Sequence, residues 1–308
     1  MPLAVITLQF DPLVHVGDWT VRWETLGIAA AILVGLLVAG LLAGRARLPA
    51  RDDAPPGAVD HLRRDDALFI ALGTVPGAVI GGRIAYVLLH FDYYSANPGA
   101  ITDPLSGSLA LSGAVILGAV TGGLVASLFD APVGRWYTVA AIPMLLALGL
   151  GKAANILGGT GQGLPSTADW ATRYLGPGPW GSLGPDIPSI PAQAFEAIGV
   201  AVVVGVVLVG LLVARQMGRP RARDGRLFAL ALGGWAVVRF LVAGTWRDPA
   251  VVGPLKAEQL FDLAIIGLAV VIYVSLFVRA RRRSRAAGAD EPAPPDLSWP
   301  DPETRHPF

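Results

Sequence analysis

Residues 195–214 read FEAIGVAVVVGVVLVGLLVA, an apolar run in which Glu196 is the only charged side chain. A helix of about 20 apolar residues, each adding about 1.5 Å, crosses the hydrocarbon core of a bilayer, which is roughly 30 Å thick. A helix also satisfies its own backbone hydrogen bonds, which lipid cannot do. The run therefore predicts a transmembrane helix, and the chain is expected to be an integral membrane protein.

The composition of the whole chain supports the same prediction. Of its 308 residues, 53% are hydrophobic and only 15% are charged, and the mean hydropathy is +0.56. A soluble domain carries about 25% charged residues, so a nucleic-acid-binding protein and a soluble cytosolic enzyme are both excluded. The chain contains no cysteine, which excludes disulfides, thiolate metal sites and a cysteine nucleophile of its own.

Six other runs are similar to 195–214 in length and in their low charge. The seven predicted spans are 25–43, 67–90, 108–129, 136–157, 195–214, 227–245 and 260–278. Together they predict an all-α membrane protein with seven transmembrane helices. We expect these helices to form a single domain over residues 1–285.

The arginines between the spans predict how the helices are oriented. Cytoplasmic loops of membrane proteins carry an excess of Lys and Arg, and arginines cluster after the first, fifth and seventh spans, with Arg135 after the third. We therefore expect the N-terminus outside, the C-terminus in the cytoplasm, and the Gly- and Pro-rich segment 158–194 on the outer face. The tail, 286–308, is rich in Pro, Ala and Asp and is expected to be disordered.

Three cationic side chains lie inside predicted spans, namely Arg83, Lys152 and Arg239. An intramembrane charge costs at least about 2.5 kcal/mol, and its usual explanation is a functional site that faces a cavity or a partner. All three lie on spans that run outward, roughly 18–24 Å from the inner end. The sequence predicts one carboxylate at that depth, Glu196, which lies with Gln193 at the start of the fifth span. We expect a surplus of positive charge, and a structural ion-pair network is the alternative.

A surplus of cations in the outer half of a bilayer requires an anion. We expect a phospholipid phosphate, because guanidinium groups bind phosphate through two parallel hydrogen bonds. Asn155 lies on the same helical face as Lys152, where it is a candidate for binding the lipid headgroup or for a hydrogen bond between helices. The glycine-rich run 158–163 then predicts a loop whose backbone N–H groups can approach a ligand.

Several short segments, in this order and spacing, resemble the phosphatidylglycerol-prolipoprotein diacylglyceryl transferase family. They extend over residues 10–278 and comprise Phe10-Asp11-Pro12, Trp23, GGRIAYVL at 81–88, GSLALSGAVILG at 107–118, Pro191-x-Gln193-x-Phe195-Glu196, Arg239 and Gln259. The resemblance implies transfer of diacylglycerol from phosphatidylglycerol to the lipobox cysteine of an exported prolipoprotein. It also implies a multi-pass protein of the bacterial inner membrane that needs no cofactor or metal.

The resemblance further implies roles for particular residues. Lys152 and Arg239 are the predicted catalytic residues, which contact the departing phosphate. The predicted substrate-binding residues are Arg83, Tyr86, Asn155, Gly163, Gln193 and Glu196. For Arg83, a structural pair with Glu196 is the alternative. The partners are phosphatidylglycerol and a prolipoprotein signal peptide, whose cysteine thiolate is the nucleophile.

The sequence departs from the family's pattern at several positions. The family's signature reads Gly-Arg-x-Gly-Asn-x-x-Asn-x-Glu-x-x-Gly, and here Lys152 replaces its arginine, Gly158 its second asparagine and Thr160 its glutamate. The other replacements are Glu24 and Thr25 for a tyrosine expected after Trp23, Ser112 for a histidine found in some members, and Ala243 for a glutamate in the sixth span.

These departures leave two alternatives to an active transferase. The first is a relative that binds phospholipid or lipoprotein without transferring anything, which Lys152 and Thr160 favour. The second is a transporter, which predicts a polar path across both leaflets. The cytoplasmic halves of the spans hold almost no ionisable residues, so transport is the weaker of the two.

Overall fold

The computed structural model describes residues 5–46, 62–103, 108–129, 132–218 and 224–289 and is mostly helical. Its α-helices are α1 Trp23–Ala43, α2 Arg64–Leu89, α3 Phe91–Ala96, α4 Leu111–Ala126, α5 Val133–Asn155, α6 Ala192–Gln216, α7 Arg226–Ala243 and α8 Ala257–Ala289. A 3-10 helix, Pro98–Ile101, follows α3.

Six helices in these ranges are long and apolar enough to cross a membrane, namely all but α3 and α4. α4 is apolar but has only 16 residues, so the third predicted span, 108–129, is shorter than expected. It is short because Ala110 is extended and its N–H donates to the Gly82 carbonyl at 2.9 Å, while Ser127 begins a turn. The predicted all-α membrane fold is confirmed, and the orientation of its termini stays a prediction.

The last span is longer than predicted at both ends. α8 begins at Ala257 rather than at 260 and continues through the arginine cluster to Ala289, since arginine is a good helix former. The first four residues of the tail predicted to be disordered, 286–289, are therefore helical. Residues 290–308 lie outside the described residues.

The helices form two groups that share α5. α1 packs against one side of α5 and leads to α2 and α4, while α6 and α7 pack against the other side and lead to α8. The largest apolar core belongs to the second group and includes the buried side chains of Leu145, Val200, Trp235 and Ile265. A smaller contact between α4 and α8 connects the two groups on the far side.

Glycines allow α2 and α4 to pack with their backbones in contact. A Cβ added at Gly81 would overlap the carbonyl of Gly113, and a Cβ at Gly113 would overlap the carbonyl of Gly81. Small residues at such crossings let helices approach closely in lipid, where packing rather than the hydrophobic effect holds helices together. The glycines of the predicted second and third spans thus have a packing role.

Short strands lie at one end of the bundle. β1 Ile6–Gln9 pairs in parallel with β4 Thr172–Leu175, and β2 Leu13–Val16 forms a hairpin with β3 Trp19–Arg22. β5 Ala250–Val252 pairs with β6 Leu255–Lys256 between α7 and α8. The β1–β4 pair joins the N-terminal segment to segment 158–194. The start of α1 and the end of α5 therefore lie at the same end of the molecule.

Candidate functional site

Arg239 lies at the centre of the candidate site, near the end of α7. It is 1% exposed, and each nitrogen of its guanidinium faces a different carboxylate. Nε lies 3.3 Å from Asp262 Oδ1, Nη1 lies 3.4 Å from Glu196 Oε1, and Nη2 lies 2.9 Å from Glu258 Oε2. Glu196 belongs to α6 and the other two acids belong to α8, so one guanidinium connects three helices.

Lys152, near the end of α5, adds a second cation to this group. Its Nζ lies 3.0 Å from Glu196 Oε2, so Glu196 is shared between Lys152 and Arg239. The side chain of Lys152 is 16% exposed, whereas that of Arg239 is 2% exposed. We call these five residues, Lys152, Glu196, Arg239, Glu258 and Asp262, the ion-pair group. Lys152 is its more accessible cation.

The ion-pair group corrects the expected surplus of positive charge. Two cations face three carboxylates, so the group carries one more formal negative charge than positive. Counting Glu196 alone was wrong, because Glu258 and Asp262 also reach Arg239. The sequence does hold a signal for them. They are four residues apart, hence on one helical face, and Asp262 lies inside the predicted span 260–278, where an acid is as informative as a cation.

Two tryptophans cover the cations of the ion-pair group. Arg239 Cζ lies 5.0 Å from the ring centroid of Trp246 and 5.4 Å from that of Trp235, and Lys152 Nζ lies 5.7 Å from the Trp246 ring. The negative face of an aromatic ring attracts a cation at such distances. Lys256 Nζ donates to the carbonyls of Gly244 and Trp246 and so fixes the segment that carries Trp246.

Gln193 lies one turn before Glu196 on α6, and one of the two polar atoms of its side-chain amide forms no hydrogen bond with the described residues. Its Nε2 donates to the hydroxyl of Tyr174 at 3.0 Å, while its buried Oε1 accepts no hydrogen bond from the described residues. A buried amide oxygen without a donor is costly, so this oxygen suits a ligand that donates. Burial raises the pKa of Tyr174 to about 12, and the charge of Glu24 adds to the rise while the Gln193 bond opposes it.

The glycine-rich loop after α5, residues 158–163, contacts Glu24 of α1 and Thr245 just after α7. α5 ends at Asn155, whose carbonyl accepts the N–H groups of Gly158 and Thr160, and Gly159 and Gly161 have positive φ angles of 75° and 85°. The loop predicted from the glycines is therefore present. At its far end the N–H of Gly163 donates to the Ile190 carbonyl at 2.8 Å, and a Cβ at Gly163 would lie 2.5 Å from the Thr245 carbonyl oxygen.

Arg83 and Tyr86 lie near the end of α2, and Arg83 contacts the 3-10 helix that follows α3. Arg83 Nη2 and Nε donate to the carbonyls of Ala100 and Ile101 at 2.6 and 2.8 Å, and its guanidinium lies over the Tyr94 ring. Tyr86 stacks on His90, with ring centroids 4.1 Å apart. Of the three cations expected at one site, the structure joins two, Lys152 and Arg239, through their shared partner Glu196.

Ser112 connects the first group of helices to the ion-pair group. This buried residue of α4 donates from Oγ to Glu258 Oε2 at 3.4 Å. An apolar cavity of about 400 Å³ borders Ser112 and is lined by α2, α4 and α8, with Leu88, Ile116 and Phe261 among its walls. A polar contact and an apolar cavity therefore meet at Ser112.

Comparison with known proteins gives a match over nearly the whole described bundle. The sequence model of the prolipoprotein diacylglyceryl transferase family matches residues 12–275. Similar curated proteins include the phosphatidylglycerol-prolipoprotein diacylglyceryl transferase of Nostoc sp. (strain PCC 7120), which is 28% identical over 286 residues, 91% of this chain and 94% of the relative. The proteins of the same name from Symbiobacterium thermophilum and Lysinibacillus sphaericus are 28% and 25% identical over 85% and 90% of this chain, and 92% and 97% of their own length.

Proposed function

Because the chain belongs to the prolipoprotein diacylglyceryl transferase family, we propose that it transfers the diacylglyceryl group of phosphatidylglycerol to the cysteine thiol of a prolipoprotein. The family match carries this proposal, since it covers residues 12–275 and hence the whole ion-pair group. The chain is a multi-pass membrane protein. We propose that it lies in the bacterial inner membrane with the N-terminus and the ion-pair group toward the outer face.

The proposed reaction exchanges one bond at a lipid carbon. The cysteine of the lipobox in the signal peptide attacks as a thiolate, and its sulfur bonds to the glyceryl carbon that carries the phosphate. The bond from this carbon to the phosphate oxygen breaks. The products are a thioether-linked diacylglyceryl cysteine and glycerol phosphate, and the proton lost by the thiol balances the charge gained by the phosphate. The site must therefore stabilise negative charge on a phosphate oxygen.

Lys152 is the first residue that we propose for the phosphate contact. It is the more accessible cation, and its ammonium pairs with one carboxylate, Glu196. An ammonium has three N–H donors, so Lys152 can keep this pair and still donate to a phosphate oxygen.

Arg239 is the second proposed catalytic residue, and its geometry defines how it can act. All three nitrogens face carboxylates, so a phosphate must take the place of one of them. Glu258 is the carboxylate that a phosphate can displace, because its side chain is 17% exposed, whereas those of Glu196 and Asp262 are fully buried. We therefore propose that phosphate exchanges with Glu258 at Nη2, while Nη1 and Nε keep Arg239 in place.

The remaining predicted residues are proposed to bind the other parts of the lipid. The Oε1 of Gln193, which accepts no hydrogen bond from the part of the chain that the structure describes, suits a hydroxyl of the glycerol headgroup. Gln193 lies against Gly161 of the glycine-rich loop, and we propose that Asn155 and Gly163, at the two ends of this loop, bind the same headgroup. The apolar cavity beside Ser112 suits an acyl chain. Arg83 and Tyr86 belong to α2, whose neighbouring residues line the far wall of that cavity.

A relative that binds phosphatidylglycerol or lipoprotein without transfer is the second candidate. The replacements Lys152 and Thr160 in the family's signature favour it. Lysine keeps the charge of arginine but lacks the planar pair of donors that matches a phosphate. The two candidates differ in one observable property, the appearance of a diacylglyceryl group on the prolipoprotein.

The deciding experiment is complementation of a bacterial strain depleted of its own transferase, with the mass of a reporter lipoprotein followed directly. We expect the wild-type chain to add one diacylglyceryl group. We expect Arg239→Ala to be inserted in the membrane but inactive, and Val206→Ala, on an exposed face of α6, to behave as wild type. A wild-type chain that binds phosphatidylglycerol but leaves the reporter mass unchanged would support the second candidate.

A further inference from the structure

Glu258 differs from the other two acids of the ion-pair group in exposure and in its contacts. Its side chain is 17% exposed, whereas those of Glu196 and Asp262 are 1% and 0% exposed. Its Oε2 lies 2.9 Å from Arg239 Nη2, and Ser112 Oγ donates to the same oxygen at 3.4 Å. Glu258 is therefore the acid of this group that a substrate can reach.

The charge balance of the group allows this acid to change its partner. Lys152 and Arg239 supply two positive charges against three carboxylates, so one carboxylate is in excess. Glu196 pairs with both cations, and Asp262 is fully buried against Arg239 Nε. A phosphate that binds Arg239 Nη2 therefore displaces Glu258 and still leaves both cations paired with a carboxylate.

The described histidines have surroundings of a different kind. Histidine is the commonest general base in enzymes, but His15 is exposed in the β2–β3 hairpin. His90 follows α2, where its ring stacks on Tyr86 and its Nδ1 lies 2.9 Å from the Tyr86 carbonyl oxygen. Of the described groups that contact Arg239, the carboxylates are the ones that can accept a proton, and Glu258 is the accessible one.

We propose that Glu258 is the general base that removes the proton of the lipobox thiol, and that the bound lipid phosphate releases it for this role. The inference rests on the proposed function. A nearby cation favours the charged form of a carboxylate, so a carboxylate that loses its cation binds a proton more readily. The arrival of phosphate at Arg239 Nη2 thus frees the base when the lipid is in place.

Binding of phosphate at Nη2 also brings the thiol to Glu258. A sulfur that is ready to react lies about 3–3.5 Å from the carbon that it attacks, and this carbon is bonded to an oxygen of the same phosphate. The displaced carboxylate stays beside that phosphate, because α8 fixes its backbone and the buried Ser112 hydroxyl is one of its partners. The proton to be removed and the group that accepts it are therefore neighbours.

The proton transfer to Glu258 balances in atoms and in charge. The thiol proton passes to a carboxylate oxygen of Glu258 as sulfur bonds to the glyceryl carbon. The bond from this carbon to the phosphate oxygen breaks, and its electron pair stays on the oxygen, so glycerol phosphate leaves with one more negative charge than it carried in the lipid. Glu258 then gives its proton to water and pairs again with Arg239 Nη2, which restores the arrangement of the structure.

The test compares Glu258→Gln with wild type at two pH values. Purified full chains are assayed in phosphatidylglycerol vesicles with a prolipoprotein signal peptide as acceptor. We expect kcat to fall about 100-fold at about pH 6.5, since a general base contributes about 10²- to 10⁴-fold. At about pH 9.5, roughly one unit above the usual pKa of a thiol, the thiolate forms without a base, and the loss should be less than about fivefold. The KM for phosphatidylglycerol should stay equal or fall, because the charge that competes with phosphate is gone.

Asp262→Asn is the matched control, because it makes the same change of charge one turn further along α8. The charged groups around Glu258 are Arg239 from α7 and Asp262 from α8, with Glu196 from α6 and Lys152 from α5 beyond Arg239. Whatever kcat the control has, its ratio to wild type should be the same at both pH values. Glu258 is not the base if its variant loses equally at both pH values, or keeps more than about a third of wild-type kcat at about pH 6.5.

A second variant keeps the test decisive if Glu258→Gln does not fold. Glu258→Asp retains a carboxylate but shortens the side chain by one carbon, so the base is present and misplaced. Its loss in kcat should again be larger at about pH 6.5 than at about pH 9.5. Equal losses at the two pH values would overturn the proposal.

A separate measurement distinguishes failure of this inference from failure of the proposed reaction. A phosphonate analogue of phosphatidylglycerol, in which carbon replaces the oxygen that must leave, can bind without reacting. Because the chain contains no cysteine, iodoacetamide labels only the thiol of the acceptor peptide, at a rate that follows its thiolate fraction.

This labelling is measured at about pH 6.5 with and without the analogue. With the analogue, wild type should speed the labelling about tenfold relative to Glu258→Gln. Without it, the two rates should agree, because Glu258 is still paired with Arg239. This pattern supports the base even if wild type transfers nothing from the natural lipid, whereas equal rates in the presence of the analogue overturn it.

Discussion

Arg239 and Lys152 have the same charge, but the contacts at the two positions require side chains of different shape. Arg239 binds three carboxylates with nitrogens that point in three directions, whereas Lys152 pairs with Glu196 alone. A lysine at 239 has one ammonium on a flexible chain and cannot face all three acids, while an arginine at 152 still reaches Glu196. Loss of one partner from a buried ion pair costs about 3–5 kcal/mol, because the other charge stays buried.

We therefore expect opposite results from the two conservative exchanges. Lys152→Arg should keep or raise the transfer rate, since the added nitrogens allow a two-point contact with phosphate. Arg239→Lys should lower the rate by about 100-fold or more and also lower the unfolding temperature. Both are measured with the purified chain in phosphatidylglycerol vesicles and by thermal unfolding in detergent. A large loss in Lys152→Arg would mean that the site is built around an ammonium.

The excess carboxylate in the ion-pair group leads to a second prediction. Asp262→Asn equalises the formal charges at two and two, and an asparagine side chain can still accept the Arg239 Nε–H. Glu196→Gln instead removes the acid that Lys152 and Arg239 share. We expect Asp262→Asn to leave the unfolding temperature unchanged or higher and Glu196→Gln to lower it. Equal losses in the two variants would show that the third carboxylate is needed as a charge.

The sequence predicted a common level for these cations, but it did not predict which residues they contact. The depth of Lys152 and Arg239 follows from the helical rise alone, and the structure joins them through Glu196. Arg83 has a similar predicted depth, yet it binds the carbonyls of Ala100 and Ile101 in the 3-10 helix after α3. Which face of a helix meets which neighbour depends on how the helices pack, and hydropathy and residue spacing along one sequence do not predict that packing.

At the scale of helices, the α2–α4 crossing depends on the absence of side chains. A Cβ on Gly81 or on Gly113 would overlap the backbone of the facing helix, so even alanine requires the helices to separate. Gly210, on α6, has open space around its missing side chain. Alanine there should stabilise the helix, because alanine is preferred to glycine in a helix interior by about 1 kcal/mol.

Gly113→Ala should therefore lower the unfolding temperature in detergent by several degrees, roughly 2–4 °C for each kcal/mol lost. Its matched control, Gly210→Ala, should leave the temperature unchanged or raise it. Thermal unfolding of both variants beside wild type is the measurement. If Gly113→Ala proved as stable as Gly210→Ala, the close contact between α2 and α4 would not contribute to stability.

Helix boundaries show what an apolar run can and cannot predict. The run at 195–214 predicts α6 well, apart from the polar first turn that begins at Ala192. The third run is apolar over 108–129, but α4 ends at Ala126 because the next residues form a turn. α8 extends past its apolar run to Ala289, because arginine is a good helix former. Hydropathy thus predicts which helices exist, while local hydrogen bonds decide where they end.

Across the whole molecule, every element of the ion-pair group meets at the same end of the bundle. The end of α5, the start of α6, the end of α7 and the start of α8 supply its five side chains. The same end carries segment 158–194, which pairs with the N-terminal strand. If the arginine-rich loops lie in the cytoplasm, as the positive-inside rule predicts, the ion-pair group faces the compartment into which prolipoproteins are exported.

This orientation can be tested without first removing any cysteine, because the chain contains none. Leu183→Cys places a thiol in segment 158–194 at a position that is 89% exposed, and Met217→Cys places one after the opposite end of α6, at a position that is 57% exposed. In spheroplasts, a membrane-impermeant maleimide should label Leu183→Cys at once and Met217→Cys only after the membrane is permeabilised. The reverse pattern would turn the ion-pair group toward the cytoplasm, and a reaction with exported prolipoproteins would then lack a route from the substrate cysteine to Lys152.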